Sequence, residues 1–343
     1  MHKSTKVGLS LMMMMSLTQF GNVNAYGLEP LLLTDGKQIE KGIEKQKKTN
    51  DEELLRIYNN IKTTAPKLSD DLKKIVLPAV DNSKYEISLY GSSNKAVIDL
   101  KGNVTQPLED MEVNLFYKVT NKETKENLHM DDPYVVKVNG KYHDGENLKN
   151  RPQVMPGIRE WKGNEGRFIF NNNIVVENED MREAANIVKY YIEEMTGTHV
   201  KIQVGKASKG DILLTYDTSI TVGKEGYTMD IGDITKVSAP TKIGIIYAGA
   251  TLTQMLMQDK NHSLPKGEMR DYPQFEVRST MLDVARFYMP LDYLEEVTKY
   301  AAFFKLNEIH VHINDDGGEQ NTAFRVESKK YPDINKGIKK RSI

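Results

Sequence analysis

Two short segments near the carboxyl end constrain the fold of this chain more than anything else in it. V-R-S-T-M-L-D-V-A-R-F-Y-M-P (Val277 to Pro290) and K-L-N-E-I-H-V-H-I-N-D-D-G-G-E (Lys305 to Glu319) are each a brief apolar run ending in charged or imidazole side chains. Between them, Asp292 to Phe304 carries Leu294, Val297, Ala301 and Phe304 at three- and four-residue intervals, the pattern of an outer helix with one apolar face. A strand, a helix and a strand with chemistry at the strand ends is how a β/α barrel presents its catalytic groups. A whole barrel takes about 250 residues. Val277 to Ile343 supplies 67, so the expectation is the first two βα units of an incomplete TIM barrel, occupying 273–343.

Upstream the pattern changes twice. From Lys84 the chain runs in short alternating stretches, Tyr85 to Tyr90, Ala96 to Leu100, Glu112 to Val119 and Tyr134 to Val138, punctuated by Gly91, Gly102, Pro107 and Asn139-Gly140. This predicts a β-sandwich-like accessory domain over 76–150. Pro152, Pro156, Gly157, Gly163 and Gly166 cluster around the single tryptophan, Trp161, which reads as a linker over 151–166. Residues 167–272 mix the two periodicities and predict a small α+β domain. Its strands are expected at Phe168 to Val176, Val200 to Val204, Ile212 to Leu214, Tyr227 to Ile231 and Ile243 to Tyr247. One helix, capped by Asp180 with Glu183 three residues on, should stop at Gly197, and a second should run from Ala250 to Met257. No cluster of titratable groups is visible there, so a supporting role is expected. Residues 26–75 read as a linker or peripheral helix, with Leu54, Leu55, Tyr58 and Ile61 at helical spacing. The fold class is therefore multidomain, α+β and α/β.

The amino terminus reads as an export signal, residues 1–25. Lys3 and Lys6 precede an uncharged run from Val7 to Leu17, and Val23-Asn24-Ala25 offers the small residues a signal peptidase reads. A short buried helix is the alternative. The run is too brief to span a bilayer, which needs about 20 apolar residues, and no second such stretch follows, so a secreted or cell-wall-associated protein without an integral membrane segment is expected. A formal net charge of -1 with acids and bases interspersed argues against a nucleic-acid partner. The absence of cysteine excludes a thiolate nucleophile and cysteine-ligated zinc.

The groups that could do chemistry sit at the ends of the two carboxyl-terminal strands. Asp283 and Arg286 close the first, where barrel sites are built, although taken alone a structural ion pair at a strand end is the simpler explanation of them. In the second, His310 and His312 share one face, and Asn314, Asp315, Asp316 and Glu319 follow around Gly317-Gly318. Three readings of this cluster stay open on spacing alone. They are zinc or manganese ligation through His310 and His312, hydrogen bonding to sugar hydroxyls, and core histidines bonded to nearby backbone.

R-S-T-M-L-D-V-A-R-F-Y and K-L-N-E-I-H-V-H-I-N-D-D-G resemble the opening of the catalytic barrel of the family 20 glycoside hydrolases, the β-N-acetylhexosaminidases and their lacto-N-biosidase relatives. G-K-E-G-Y-T-M-D-I and G-I-I-Y-A-G-A-T-L-T-Q-M-L resemble the small domain that precedes it. The likeness covers about 165 to 335. It implies a retaining exo-glycosidase with no cofactor and no metal, acting on N-acetylhexosamine-containing glycans, in which the substrate's 2-acetamido oxygen attacks the anomeric carbon. By position it implies that Arg278 binds the terminal sugar's hydroxyls, that Asp283 and Arg286 brace the floor, and that His312, Asp315 and Asp316 belong to the polar network. Where many members carry a tryptophan and an arginine after the paired aspartates, this chain has Gly318, Glu319 and Gln320. The family's catalytic Asp–Glu pair lies on a later strand, so no catalytic residue is assigned here and the chain alone is expected to be inactive. The alternatives are a non-catalytic secreted glycan-binding protein and a metal-dependent hydrolase built on His310 and His312.

Overall fold

The computed structural model describes residues 50–80, 83–142, 150–286, 289–313, 315 and 329–332. The expected export signal, the stretch 26–49, and Asp316 and Glu319 lie outside these residues. Three parts follow one another along the chain, and the fold is a multidomain α+β one. Among the described residues no helix is long and apolar enough to cross a membrane.

The first part opens with helix α1 (Glu52–Ile61). Asp51 caps it, accepting from the Leu54 N–H at 2.9 Å. The same carboxylate accepts from Tyr85 Oη at 2.8 Å and Asn121 Nδ2 at 2.7 Å, so the cap also ties the helix to the strands beyond it. Strands β1 (Lys67–Leu68) and β2 (Ile75–Val76) pair with each other. Strands β3 (Tyr85–Ser92), β4 (Met111–Asn121), β5 (Asn127–His129) and β6 (Tyr134–Val138) form an antiparallel sheet around β4. Val113, Leu115, Tyr117 and Val119 alternate along β4 and are buried with Leu54, Ile57, Tyr58 and Ile61 of α1 in one core.

Two expectations change here. The helix in the supposed linker buries Leu54, Ile57, Tyr58 and Ile61 in the hydrophobic core of this part and is not a peripheral element. The sandwich is one sheet covered by that helix, because Ala96 to Leu100 is a turn with a single bridge, Ile98 to Val104, rather than a strand.

The second part is a seven-stranded sheet in the order β7-β13-β11-β12-β10-β8-β9. Its strands are β7 (Glu160–Ile169), β8 (Asn173–Val176), β9 (Lys201–Val204), β10 (Ile212–Tyr216), β11 (Tyr227–Ile231), β12 (Thr235–Ala239) and β13 (Ser263–Asp271). The supposed linker thus ends in a strand from Glu160 onward, and Trp161 is fully buried in the core. Helix α2 (Arg182–Thr196) follows a 3-10 turn, Glu179–Met181, that is capped by Asn178 rather than Asp180, and it ends at Gly197 in the left-handed conformation, φ 71. Helix α3 (Lys242–Met257) takes in the stretch Ile243 to Tyr247 that reads as a strand. It is buried on all sides from Gly244 to Leu256, so its sequence shows no amphipathic period. Its start is fixed by Thr241, whose Oγ1 accepts from the Gly244 N–H.

The third part is a parallel β/α/β unit. Strand β14 (Ser279–Asp283), helix α4 (Leu291–Phe303) and strand β15 (Glu308–His312) follow one another, with Asp283 opposite His312 in the ladder. Phe303 packs edge-on against Tyr191 of α2 at 5.4 Å between ring centroids, in a small cluster with Ile246 and Ala250 of α3.

Adjacent residues at the end of β13 join all three parts. Arg270 ion-pairs with the fully buried Glu160 across the ladder, and its Nη2 donates to the carbonyls of Ala96, at 2.5 Å, and Thr221, at 2.8 Å. Glu160 also accepts from the Leu108 N–H and from Tyr272 Oη, each at 2.7 Å. The next residue, Asp271, is 5% exposed and receives Lys305 Nζ, itself on a residue 7% exposed, at 2.8 Å. Lys305 Nζ also donates to Tyr227 Oη at 2.9 Å, and that hydroxyl donates to Asp271 at 2.6 Å. The second part therefore holds two clusters of buried titratable groups that the sequence did not reveal.

Two stability predictions follow from this packing. Gly249 of α3 lies so close to α2 that a Cβ would meet Val188 Cγ2 at 2.5 Å. Gly249→Val is expected to lower the unfolding free energy by about 1–3 kcal/mol by overpacking, read as a lower urea midpoint with an unchanged slope. Lys305→Met leaves Asp271 buried without its cation and is expected to cost about 3–5 kcal/mol. Adding Asp271→Asn should recover part of that loss in the same urea titration.

Candidate functional site

Strands β14 and β15 end side by side, and their carboxyl ends gather four of the polar residues expected at the site. Asp283 accepts from the Ala285 and Arg286 N–H groups at 3.1 and 3.0 Å, the local turn that ends its strand. The Arg286 guanidinium returns to the same carboxylate at 2.9 Å and reaches Asp315 with its other terminal nitrogen. His312 lies between the two acids, with Nδ1 3.5 Å from Asp283 and Nε2 3.4 Å from Asp315. Its carbonyl accepts from the Val284 and Ala285 N–H groups at 3.1 Å each, so the ladder continues into the turn and fixes where both chains end.

The electrostatics give these groups distinct roles. The Asp283 carboxyl is held below the ordinary carboxylate range, first by the Arg286 N–H, then by the guanidinium's hydrogen bond and charge and by His312, against the opposing effect of burial. It is thus a carboxylate at neutral pH, able to accept hydrogen bonds but not to supply a proton. Two acids, an imidazole and a half-exposed guanidinium at one strand-end surface can order a polyhydroxylated ligand through several directional bonds.

The remaining candidates fall elsewhere. His310 is exposed, opposite Met281, which removes the reading of it as a core histidine. Among the described residues no group of three or more His, Asp or Glu is placed to hold a metal ion. Arg278 precedes β14, about 16 Å along the strand from Asp283 at roughly 3.3 Å per residue. Its guanidinium donates to Glu225 Oε2 and to the carbonyls of Lys305 and Phe275, each at 2.8 Å, and lies 5.7 Å over the Tyr247 ring. Asn307 completes this second cluster, accepting from the Arg278 N–H at 2.9 Å and donating to Glu225 Oε1 at 3.1 Å. Glu225 and Asn307 went unread because their partners are remote in sequence. The one available signal was that they fall inside the segments G-K-E-G-Y-T-M-D-I and K-L-N-E-I-H-V-H-I-N-D-D-G that carry the resemblance.

The shift at Asp283 has a sign that can be measured. Its folded value is depressed, so its contribution to stability is present above the unfolded carboxylate value, about 3.9, and is lost as pH falls through the folded value. Carboxyl-carbon NMR should find it titrating below that value. Arg286→Ala should move it only part of the way back, because the backbone N–H remains. A full return would show that the guanidinium alone is responsible.

Comparison with known proteins fits this arrangement. Residues 151–272 match the model for glycosyl hydrolase family 20, domain 2, and residues 275–342 match that for the glycosyl hydrolase family 20 catalytic domain. A β-hexosaminidase of Porphyromonas gingivalis is 29% identical over 170 residues, 46% of this chain and 21% of that protein. One from Vibrio furnissii is 32% identical over 125 residues, 36% of this chain and 20% of that protein. The match thus spans about a fifth of the length of these relatives. A solved N-acetyl-β-hexosaminidase of Streptomyces plicatus aligns over 54% of this chain and 38% of its own, at 22% identity and a TM-score of 0.47. With two models of one family in consecutive order and together spanning more than half of its length, the chain belongs to glycosyl hydrolase family 20.

Proposed function

We propose that this chain carries the opening of the active site of a β-N-acetylhexosaminidase-type exo-glycosidase. Its substrates would be glycans ending in β-linked N-acetylhexosamine. The observation that carries the reading is the Asp283–Arg286–His312–Asp315 network at the carboxyl ends of two parallel strands, in a chain of this family.

In the substrate-assisted scheme, the 2-acetamido oxygen forms a bond to C1 as the glycosidic C1–O bond breaks, and the leaving oxygen takes a proton from a carboxylic acid. Water then opens the oxazolinium and restores the acetamide with retained configuration. The part this network suits is the floor of the sugar pocket. Asp283, kept ionised, accepts from ring hydroxyls, and His312 is oriented by the carboxylate at each of its nitrogens. The guanidinium of Arg286 braces both acids, so the floor stays in place while the sugar distorts. Arg278, as a contact to the sugar hydroxyls, would have to share its guanidinium with Glu225. Export to the cell surface or medium, read from residues 1–25, belongs to the same proposal.

Asp283 is an ionised acceptor, so the proton donor is another group, and the resemblance to the family implies that this acid lies on a later strand than β14 and β15. The purified 343-residue polypeptide is therefore expected to bind N-acetylglucosamine weakly, with amide shifts at Asp283 and His312, and not to hydrolyse p-nitrophenyl N-acetyl-β-glucosaminide. General-acid catalysis contributes about 10²–10⁴-fold, so turnover at the rate of a full glycosidase would refute the assignment. Sugar binding that persists unchanged in both Asp283→Asn and His312→Ala would refute the placement of the floor.

A further inference from the structure

A cleft of about 1270 Å³ lies where the three parts meet. It is bordered by Ser92 to Thr105 of the first part, by the Thr221–Glu225 and Thr241–Ile243 stretches of the second, and by the Tyr272–Glu276 segment that leads into β14. It adjoins the amino ends of β14 and β15, since Glu225 and Glu276 both touch Asn307, so it opens at the opposite end of those strands from Asp283 and His312. Apart from Glu225, the partner of Arg278, none of its lining residues has a part in the reaction proposed above.

The cleft is rigidly built. The buried Tyr272 lines it, with the guanidinium carbons of Arg270 and Arg159 at 5.1 and 5.7 Å from its ring and its hydroxyl bonded to Glu160 and Asn94. Arg270 holds the Ala96 and Thr221 carbonyls, which fixes two of the flanking walls to each other. A cavity held this way loses little entropy when a ligand enters.

Its lining also indicates the chemistry of the ligand. Three cations, Lys95, Arg159 and Lys224, face three acids, Asp99, Glu225 and Glu276, so the cleft has no net charge. The acids are engaged within the protein. Lys95 pairs with Glu276 at 2.6 Å, Glu225 receives Arg278 and Asn307, and Asp99 accepts from the Lys101 and Asn103 main-chain N–H groups and from Asn103 Nδ2 at 2.8 Å each. Hydroxyl and amide groups also line it, at Ser92, Ser93, Thr105, Thr221 and Gln274, beside the Phe275 ring, which is 66% exposed. Ser92, Ser93 and Gln274 each accept one hydrogen bond from within the protein. Neutral donors and acceptors around an exposed aromatic face match a ligand that is neutral, rich in hydroxyls and apolar on its C–H faces. The volume exceeds the roughly 300–1,000 Å³ of drug-sized sites and suits an extended chain rather than one ring.

We propose that this junction cleft binds a neutral oligosaccharide segment. The choice of N-acetylated sugars as the first probe rests on the function proposed above, but the cleft itself is tested by binding and not by hydrolysis. The purified 343-residue chain would be titrated with penta-N-acetylchitopentaose and, separately, with cellopentaose, following amide NMR shifts and calorimetry. The expected result is binding of at least one pentasaccharide with shifts at Ser93, Thr105 and Gln274. Phe275→Ala should weaken it by at least about threefold, as loss of an aromatic contact does, and Thr221→Trp should abolish it by filling the cleft. Phe275 is exposed, so its alanine variant reports on binding even if the tryptophan variant folds poorly. No binding of either sugar, or binding unaffected by Phe275→Ala, would overturn the proposal. Shifts confined to Asp283, His312 and Asp315 would overturn it while leaving the sugar pocket intact. Shifts of the cleft amides by a neutral pentapeptide and by neither sugar would overturn it in favour of a peptide ligand.

Discussion

A lysine that crosses from one part of the chain into another governs this structure. Lys305 belongs to the loop before β15, yet its ammonium lies between Asp271 and the Tyr227 hydroxyl of the seven-stranded unit. Taking two opposite charges out of water costs several kcal/mol per ion, and here the cost is offset by a close pair and by further hydrogen bonds. Tyr227 donates to the same carboxylate oxygen that Lys305 meets, and the Arg159 N–H occupies the other at 3.1 Å. The tyrosine's own ionisation is pushed far up by its burial and by the charge of Asp271, so it stays a neutral donor. The arrangement works only when the loop carrying Lys305 is seated, and that loop determines where β15 begins and therefore where His312 lies.

The neighbouring residue performs the corresponding task on the other face. Successive side chains on a strand point in opposite directions, so Arg270 faces the first part while Asp271 faces the third. One dipeptide at the end of β13 thereby orients the two flanking parts through buried charge. The two hydrophobic cores, one around β4 and α1 and the other around Trp161 and α3, are separate clusters. What correlates them is polar, directional and small in area.

This division explains what could be read from the sequence. The β/α/β unit was legible because strand period, helix period and terminal charges agree locally, from Ser279 to His312. Asp283, Arg286, His312 and Asp315 could be grouped for the same reason, since each closes or follows a strand in a parallel pair. Helix α3 was misread over Ile243 to Tyr247 because burial on every side erases amphipathic contrast. Trp161 looked like part of a linker because its glycine neighbours resemble breakers, whereas Gly267, which pairs with Gly163, packs against its ring: a Cβ there would lie 2.6 Å from it. Lys305, Asp271, Glu160 and Arg270 were invisible as a set, because partners separated by 34 and 110 positions leave no periodic trace.

The manner in which Glu160 and Arg270 grip the first part has an evolutionary corollary. Leu108 and Ala96 contribute only main-chain atoms to that grip, an amide and a carbonyl. Substitution at either position leaves those atoms in place as long as the chain follows the same path. Drift at these two positions is therefore permissive in side-chain identity but strict in loop length, and an insertion between Asn94 and Leu108 would displace the main-chain atoms that the grip needs.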